Sequence, residues 1–124
     1  MKLHHLFIIT LVVLLSACST VRKESTEHYI VEITTFKFKE EVKPADYWEE
    51  DAKVENLFTS KQPGFISRES GYNSETNEVL VLVKWESQSD ADASMSKFMN
   101  DSSVEVFAGM IDYPTYKMAS YRVE

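Results

Sequence analysis

Residues 63–85, PGFISRESGYNSETNEVLVLVKW, read as a β-hairpin on which the rest of the chain is expected to pack. Pro63-Gly64 opens it, Asn73-Ser74-Glu75-Thr76-Asn77 supplies the turn residues, and strong strand formers run from Val79 to Val83. Side chains alternate along a strand, so Val79, Val81, Val83 and Trp85 point one way and Leu80, Leu82 and Lys84 the other. A strand washed by water on one face would alternate apolar with polar. This one is apolar in both rows, which predicts cover on both sides.

Outward from the hairpin, residues 28–38 predict a first strand, with Tyr29, Val31 and Ile33 on one face and Ile30, Thr34, Phe36 and Phe38 on the other. Glu32 is the polar exception in the second row. A charged connection leads to a helix begun either by Pro44 at its first position or by Asp46 as a cap with Glu49 three residues on, and ending near Lys61. Tyr47, Val54, Leu57 and Phe58, with Trp48 and Ala52 alongside, form its apolar side, while Glu49, Glu50, Lys53 and Glu55 face water and the run Glu49-Glu50-Asp51 reads as a solvated face. After the hairpin, Ser89 with Asp90 and Asp92 starts a second helix whose apolar positions are Ala91, Met95, Phe98 and Met99, ended by Asn100-Asp101. Ser102-Ser103-Val104-Glu105 has capping-box form and predicts a short helix over 104–111 that turns Val106, Phe107 and Met110 inward. The Tyr-rich segment 113–123 closes the chain as a strand.

Strand, helix, strand, strand, helix, strand with right-handed crossovers gives an α+β, ferredoxin-like βαββαβ antiparallel sheet with its helices on one face. The uncovered face then carries either the Val79, Val81, Val83, Trp85 row or the Leu80, Leu82 row. Either is more apolar surface than a monomer usually exposes, so a homodimer through sheet faces is expected.

The chain starts with a basic Lys2 and an apolar run over 6–15, short for a membrane span, that ends in Leu15-Ser16-Ala17-Cys18. This tetrapeptide resembles the lipobox of bacterial lipoproteins. The resemblance implies cleavage before Cys18, a diacylglycerol on its sulfur and further acylation of the new N-terminus, and so a membrane partner reached through acyl chains. Ser19 stands where an Asp tends to retain such proteins in the inner membrane, which makes the periplasmic face of the outer membrane the expected address. The resulting division is a signal peptide over 1–17, a polar lipidated tether over 18–27 and one folded domain over 28–124.

Composition narrows the function. Cleavage removes only Lys2 from the 13 Lys and Arg, against 20 Asp and Glu, so the formal charge moves from −7 to −8. Such an acidic chain lacks the electrostatic footprint of a nucleic-acid binder and is repelled by anionic lipid. Cys18 is the single Cys, so once it is acylated no thiol remains for a disulfide, a metal cluster or a nucleophile. His28 is the one His past the leader and sits where tether becomes strand, leaving no metal-ligand spacing and no Ser-His-Asp arrangement.

Pro63-Gly64-Phe65 opening the second strand, the run Val79 to Trp85 ending the third, the Glu86-Ser87 exit into a helix and Phe107 before the last strand together resemble the dimeric α+β barrel superfamily, and within it the antibiotic-biosynthesis-monooxygenase-like domains. The likeness covers about residues 29–123. It implies either a non-catalytic or ligand-binding module, or a cofactor-free monooxygenase acting on a quinol-like or polycyclic phenol, with no cofactor in either case. Haem cleavage is not implied: that branch uses an Asn on the first strand, a Trp ending the third and a His on the following helix, and only Trp85 answers to this. Trp85, Tyr72, Asn73 and Arg68 are the pocket residues the resemblance offers by type.

The same residues have plainer roles. Trp85 closing a core strand either packs or shapes an aromatic pocket. Arg68 either holds an anionic substrate or pairs with Glu32 across the sheet or the dimer. Met95 and Met99 at helical spacing read as core filler.

Overall fold

The structure, a computed structural model, describes residues 28–124. The expected signal peptide, Cys18 and the tether to residue 27 lie outside the described residues. Four strands, β1 (Tyr29–Phe38), β2 (Phe65–Asn73), β3 (Glu78–Trp85) and β4 (Ile111–Val123), form one antiparallel sheet in the order β2-β3-β1-β4. Helices α1 (Pro44–Leu57), α2 (Gln88–Phe98) and α3 (Glu105–Met110) cover one of its faces. This is the ferredoxin-like α+β arrangement. Among the described residues no helix is long and apolar enough to cross a membrane.

The two rows of β3 separate as alternation requires. Val79, Val81, Val83 and Trp85 are buried beneath the helices together with Ile30 and Phe36 of β1, while Leu80 is 40% exposed on the opposite face. In the single chain, then, β3 is covered on one side, and the Leu80/Leu82 row is the one left bare. Register sets Leu82 beside Ile33 and Leu80 beside Thr35, with Ala119 and Tyr121 of β4 completing the outer surface.

Local chemistry explains where the elements begin and end. Pro44 occupies the first turn of α1, where its missing N–H is no loss, and Asp46 makes no cap. The α-helix stops at Leu57, a 3-10 turn over Thr59–Lys61 follows, and the Gln62 side-chain amide donates to the Phe58 carbonyl at 3.2 Å. Asn73 Oδ1 accepts from the backbone N–H groups of Glu75 and Thr76, and Asn77 takes a positive φ of 57°, which Asn tolerates better than most residues. Gly64 has φ 77°, and a methyl there would run into the Asp90 side chain at the start of α2.

Several expectations are corrected. Ser87, not Ser89, caps α2, its hydroxyl accepting from Asp90 N–H at 3.1 Å and donating to Asp90 Oδ2 at 2.8 Å. Asp101 caps a 3-10 turn over Ser102–Val104, so the capping box does not form and α3 begins at Glu105. Leu57, Val106 and Met99 point outward, at 50%, 58% and 65% exposure. The buried row of α1 is Tyr47, Asp51, Val54 and, just past its end, Phe58, a 3.6-residue phase that leaves Leu57 one step aside.

Candidate functional site

A cavity of about 320 Å³ lies between the inner face of the sheet and the helices. Thr34 and Phe36 of β1, Val81, Val83 and Trp85 of β3, and Tyr116 and Met118 of β4 form its floor; Val54, Phe58, Ser94, Met95, Phe98 and Phe107 form its roof. The wall is predominantly apolar and aromatic, with Phe36 set edge-on to Phe107 at a centroid distance of 6.0 Å and parallel to Tyr116 at 6.4 Å. The most exposed lining residues, Met99, Tyr113 and Met118, mark its mouth between α2 and β4.

A few polar groups converge on this apolar space. Trp85 is 1% exposed, and its indole N–H is buried with no hydrogen-bond partner among the described residues. Ile30 pairs with Trp85 and Glu32 with Val83, so Glu32 and Trp85 are diagonal neighbours on the inner face. Glu32 is 8% exposed. Burial raises its carboxyl above the ordinary range, the nearby indole N–H opposes this by favouring the charged form, and Asp92 on α2 reinforces it. The indole thus lies within the field of the carboxyl yet does not close a hydrogen bond of ordinary geometry on it. Tyr116 likewise has its phenol raised, first by burial, with the Thr34 hydroxyl opposing and the Glu32 and Tyr113 charges adding to the rise.

Of the residues expected to form a pocket, the structure brings Trp85 and Arg68 to the cavity and leaves two elsewhere. Tyr72 pairs with Val79 and Asn73 with Glu78, at the turn end of the hairpin, and neither lines the cavity. Tyr72 stacks on Phe38 and donates to Asn77 Oδ1 at 2.7 Å, while Asn73 holds the turn.

Arg68 does not pair with Glu32. Its guanidinium binds Asp51 of α1 in a fork, Nη2 to Oδ1 at 2.7 Å and Nη1 to Oδ2 at 3.2 Å, both side chains being buried. Ser70 and Tyr47 also donate to Asp51 Oδ1, at 3.2 and 3.4 Å. Asp51 therefore leaves the solvated acidic face assigned to it and becomes the acceptor that ties α1 to β2. Burial and the Asp51 charge together push the Tyr47 phenol far upward, so it stays a donor.

Glu32, Ser94, Thr34 and Tyr116 were not expected at the site. Glu32 left a signal, a carboxylate interrupting an inward-facing apolar row; Ser94 and Tyr116 left none, because small and aromatic residues on these elements equally suit packing. His28 is exposed at the start of β1, with Nδ1 2.7 Å from Glu124 Oε2, outside the cavity.

No family model and no curated protein matches the sequence. Solved structures do match. SnoaB, a cofactor-independent oxygenase from Streptomyces nogalater, aligns at a TM-score of 0.62 and 13% identity over 78% of this chain and 94% of its own. A protein from Bordetella bronchiseptica provisionally assigned as an antibiotic biosynthesis monooxygenase aligns at 0.64 and 14%, covering 78% and 98%. A dimeric ferredoxin-like protein of unknown function from Thermobifida fusca aligns at 0.62 and 12%, covering 79% and 93%. At these identities the likeness establishes the fold alone, a ferredoxin-like α+β domain.

Proposed function

We propose that this chain is a lipid-anchored homodimeric module, held by acylated Cys18 at the periplasmic face of the outer membrane, whose cavity binds a small apolar or aromatic molecule. The observation that carries the binding reading is the cavity itself: about 320 Å³ of apolar and aromatic wall with a few polar groups directed into it. That size and lining suit a small planar ligand. The Leu15-Ser16-Ala17-Cys18 lipobox supports the anchor, and the bare Leu80/Leu82 face supports the dimer. A crystal of the protein soaked with a planar aromatic hydrocarbon tests the binding reading, with density between β3 and α2 as the expected result.

A second reading is a cofactor-free monooxygenase acting on a quinol-like or polycyclic phenol. It is favoured by the likeness to SnoaB and by the burial of Trp85 in the cavity wall. An electron-rich phenol carries its own reducing equivalents, so the protein would need only to bind it, orient it against dioxygen and exclude water. Oxygen uptake with anthrone- or quinol-type substrates tests this, and turnover unchanged in Trp85→Phe would remove Trp85 from it.

A further inference from the structure

We infer that Glu32 and Trp85 together form a hydroxyl-recognition site that selects, among planar aromatic molecules entering the cavity, those bearing a weakly acidic O–H. This rests on the cavity reading and sharpens it to a ligand class. A phenol or enol offers the two functions the pair lacks. Its O–H donates to the Glu32 carboxylate, and its oxygen accepts from the Trp85 indole N–H. An ether can accept from the indole but cannot donate to the carboxylate, and a hydrocarbon can do neither.

Three observations converge. The indole N–H is buried and, although near the Glu32 carboxyl, has no partner in hydrogen-bond geometry among the described residues, which is costly unless a ligand or water completes it. The carboxyl lies diagonal to it on the same sheet face, on the floor of the same cavity. Arg68, the cation bordering the cavity, is already engaged by Asp51, so the Glu32 carboxylate is left as the charged acceptor on the floor, beside the neutral hydroxyls of Thr34 and Tyr116. If the proton crosses, the ligand O–H bond breaks and a carboxyl O–H forms, leaving an oxyanion held by the indole N–H. No co-reactant is needed for that step. The raised proton affinity of Glu32 supports this, because a carboxylate in an apolar setting is a stronger base than one in water. Glu32 is thereby assigned contact with the ligand, a role that nothing in the plain sequence pattern distinguishes from a misplaced strand residue.

The test uses the full chain in a neutral detergent and three probes of one shape: naphthalene, β-naphthol and its methyl ether. Partition of each probe into detergent is measured on protein-free micelles and subtracted, so that the three affinities can be compared on the unaltered chain. The expected result is that β-naphthol binds roughly tenfold to a hundredfold more tightly than its ether, the range for a hydrogen bond to a charged group. Glu32→Gln, whose amide oxygen still accepts but carries no charge, should shrink that preference to about a few-fold while retaining naphthalene binding, and bound β-naphthol should show the emission of its anion only with Glu32 present. Equal binding of all three probes to the unaltered protein would overturn the inference and leave the cavity reading standing. Binding of none would overturn both. The ligand series on the unaltered chain decides the matter even where a variant fails to fold.

Discussion

Arg68 on β2 grips Asp51 on α1 through two parallel contacts, Nη2 to Oδ1 at 2.7 Å and Nη1 to Oδ2 at 3.2 Å, beneath the surface. This fork sets the distance between the first helix and the outer strand of the hairpin, and hence the height of one wall of the cavity. Removing one partner leaves a buried charge without compensation. Asp51→Leu or Arg68→Met should each destabilise the fold by about 3–5 kcal/mol, whereas the two together should cost much less. Denaturant unfolding of the singles and the double checks this; additive losses would mean that the two side chains act independently.

Gly64 and Gly109 should respond oppositely to Ala. At Gly64 the positive φ and the Asp90 side chain both reject a Cβ, and a loss of roughly 1–3 kcal/mol is expected. At Gly109, inside α3, a Cβ meets nothing, so Ala should be neutral or stabilising by up to about 1 kcal/mol. Thermal unfolding of both variants separates the two outcomes.

Glu32 carries a pH signature. Its folded-state proton affinity is raised above the ordinary carboxyl value of 4.5, chiefly by burial, so the folded state binds the proton more tightly than the unfolded chain. Stability from this group is present in acid and falls as pH rises from the unfolded value through the folded one. Glu32→Gln should therefore be more stable than the unaltered protein at neutral pH, with the difference vanishing below about 4.5. Unfolding curves across that range give the test, and a difference growing toward acid would reverse the assignment.

The outer sheet face is expected to hold the dimer. Leu80→Glu places a charge on the exposed row without touching the core, so it should shift the dimer to monomer while preserving the circular dichroism of the fold. Val81→Ser, on the buried row, should instead destabilise each chain by roughly 1–3 kcal/mol. Light scattering and thermal unfolding distinguish these, and an unaltered protein that is monomeric at micromolar concentration would dismiss the sheet-face dimer.

Much of this architecture is legible along the chain because strand alternation is a strong signal. The opposed rows of Val79–Trp85 and of Tyr29–Phe38 could be read by parity, and Pro44 and Asn73 mark real boundaries. Asp51 was legible in principle: Tyr47, Asp51, Val54 and Phe58 recur at helical spacing, but the acidic neighbours Glu49 and Glu50 drew the whole run toward solvent. Its partnership with Arg68 could not be read, because the two are 17 residues apart and nothing local fixes how α1 lies on β2. The site was only half legible for a similar reason. Trp85 and Glu32 become neighbours through β1–β3 register, and Tyr72 and Asn73 fall away from them because register carries them to the other end of the hairpin.

Whether the space between sheet and helices is a ligand site is decided by calorimetric titration with a planar aromatic, run on the unaltered chain and on Ser94→Phe. Ser94 is buried in the roof of α2 and lines the cavity, so a Phe there fills the space from within. Saturable binding of one molecule per chain, lost in the filled variant while its fold and melting temperature hold, is the expected result. Absence of saturable binding to the unaltered chain, or binding that the filled cavity leaves unchanged, would contradict it.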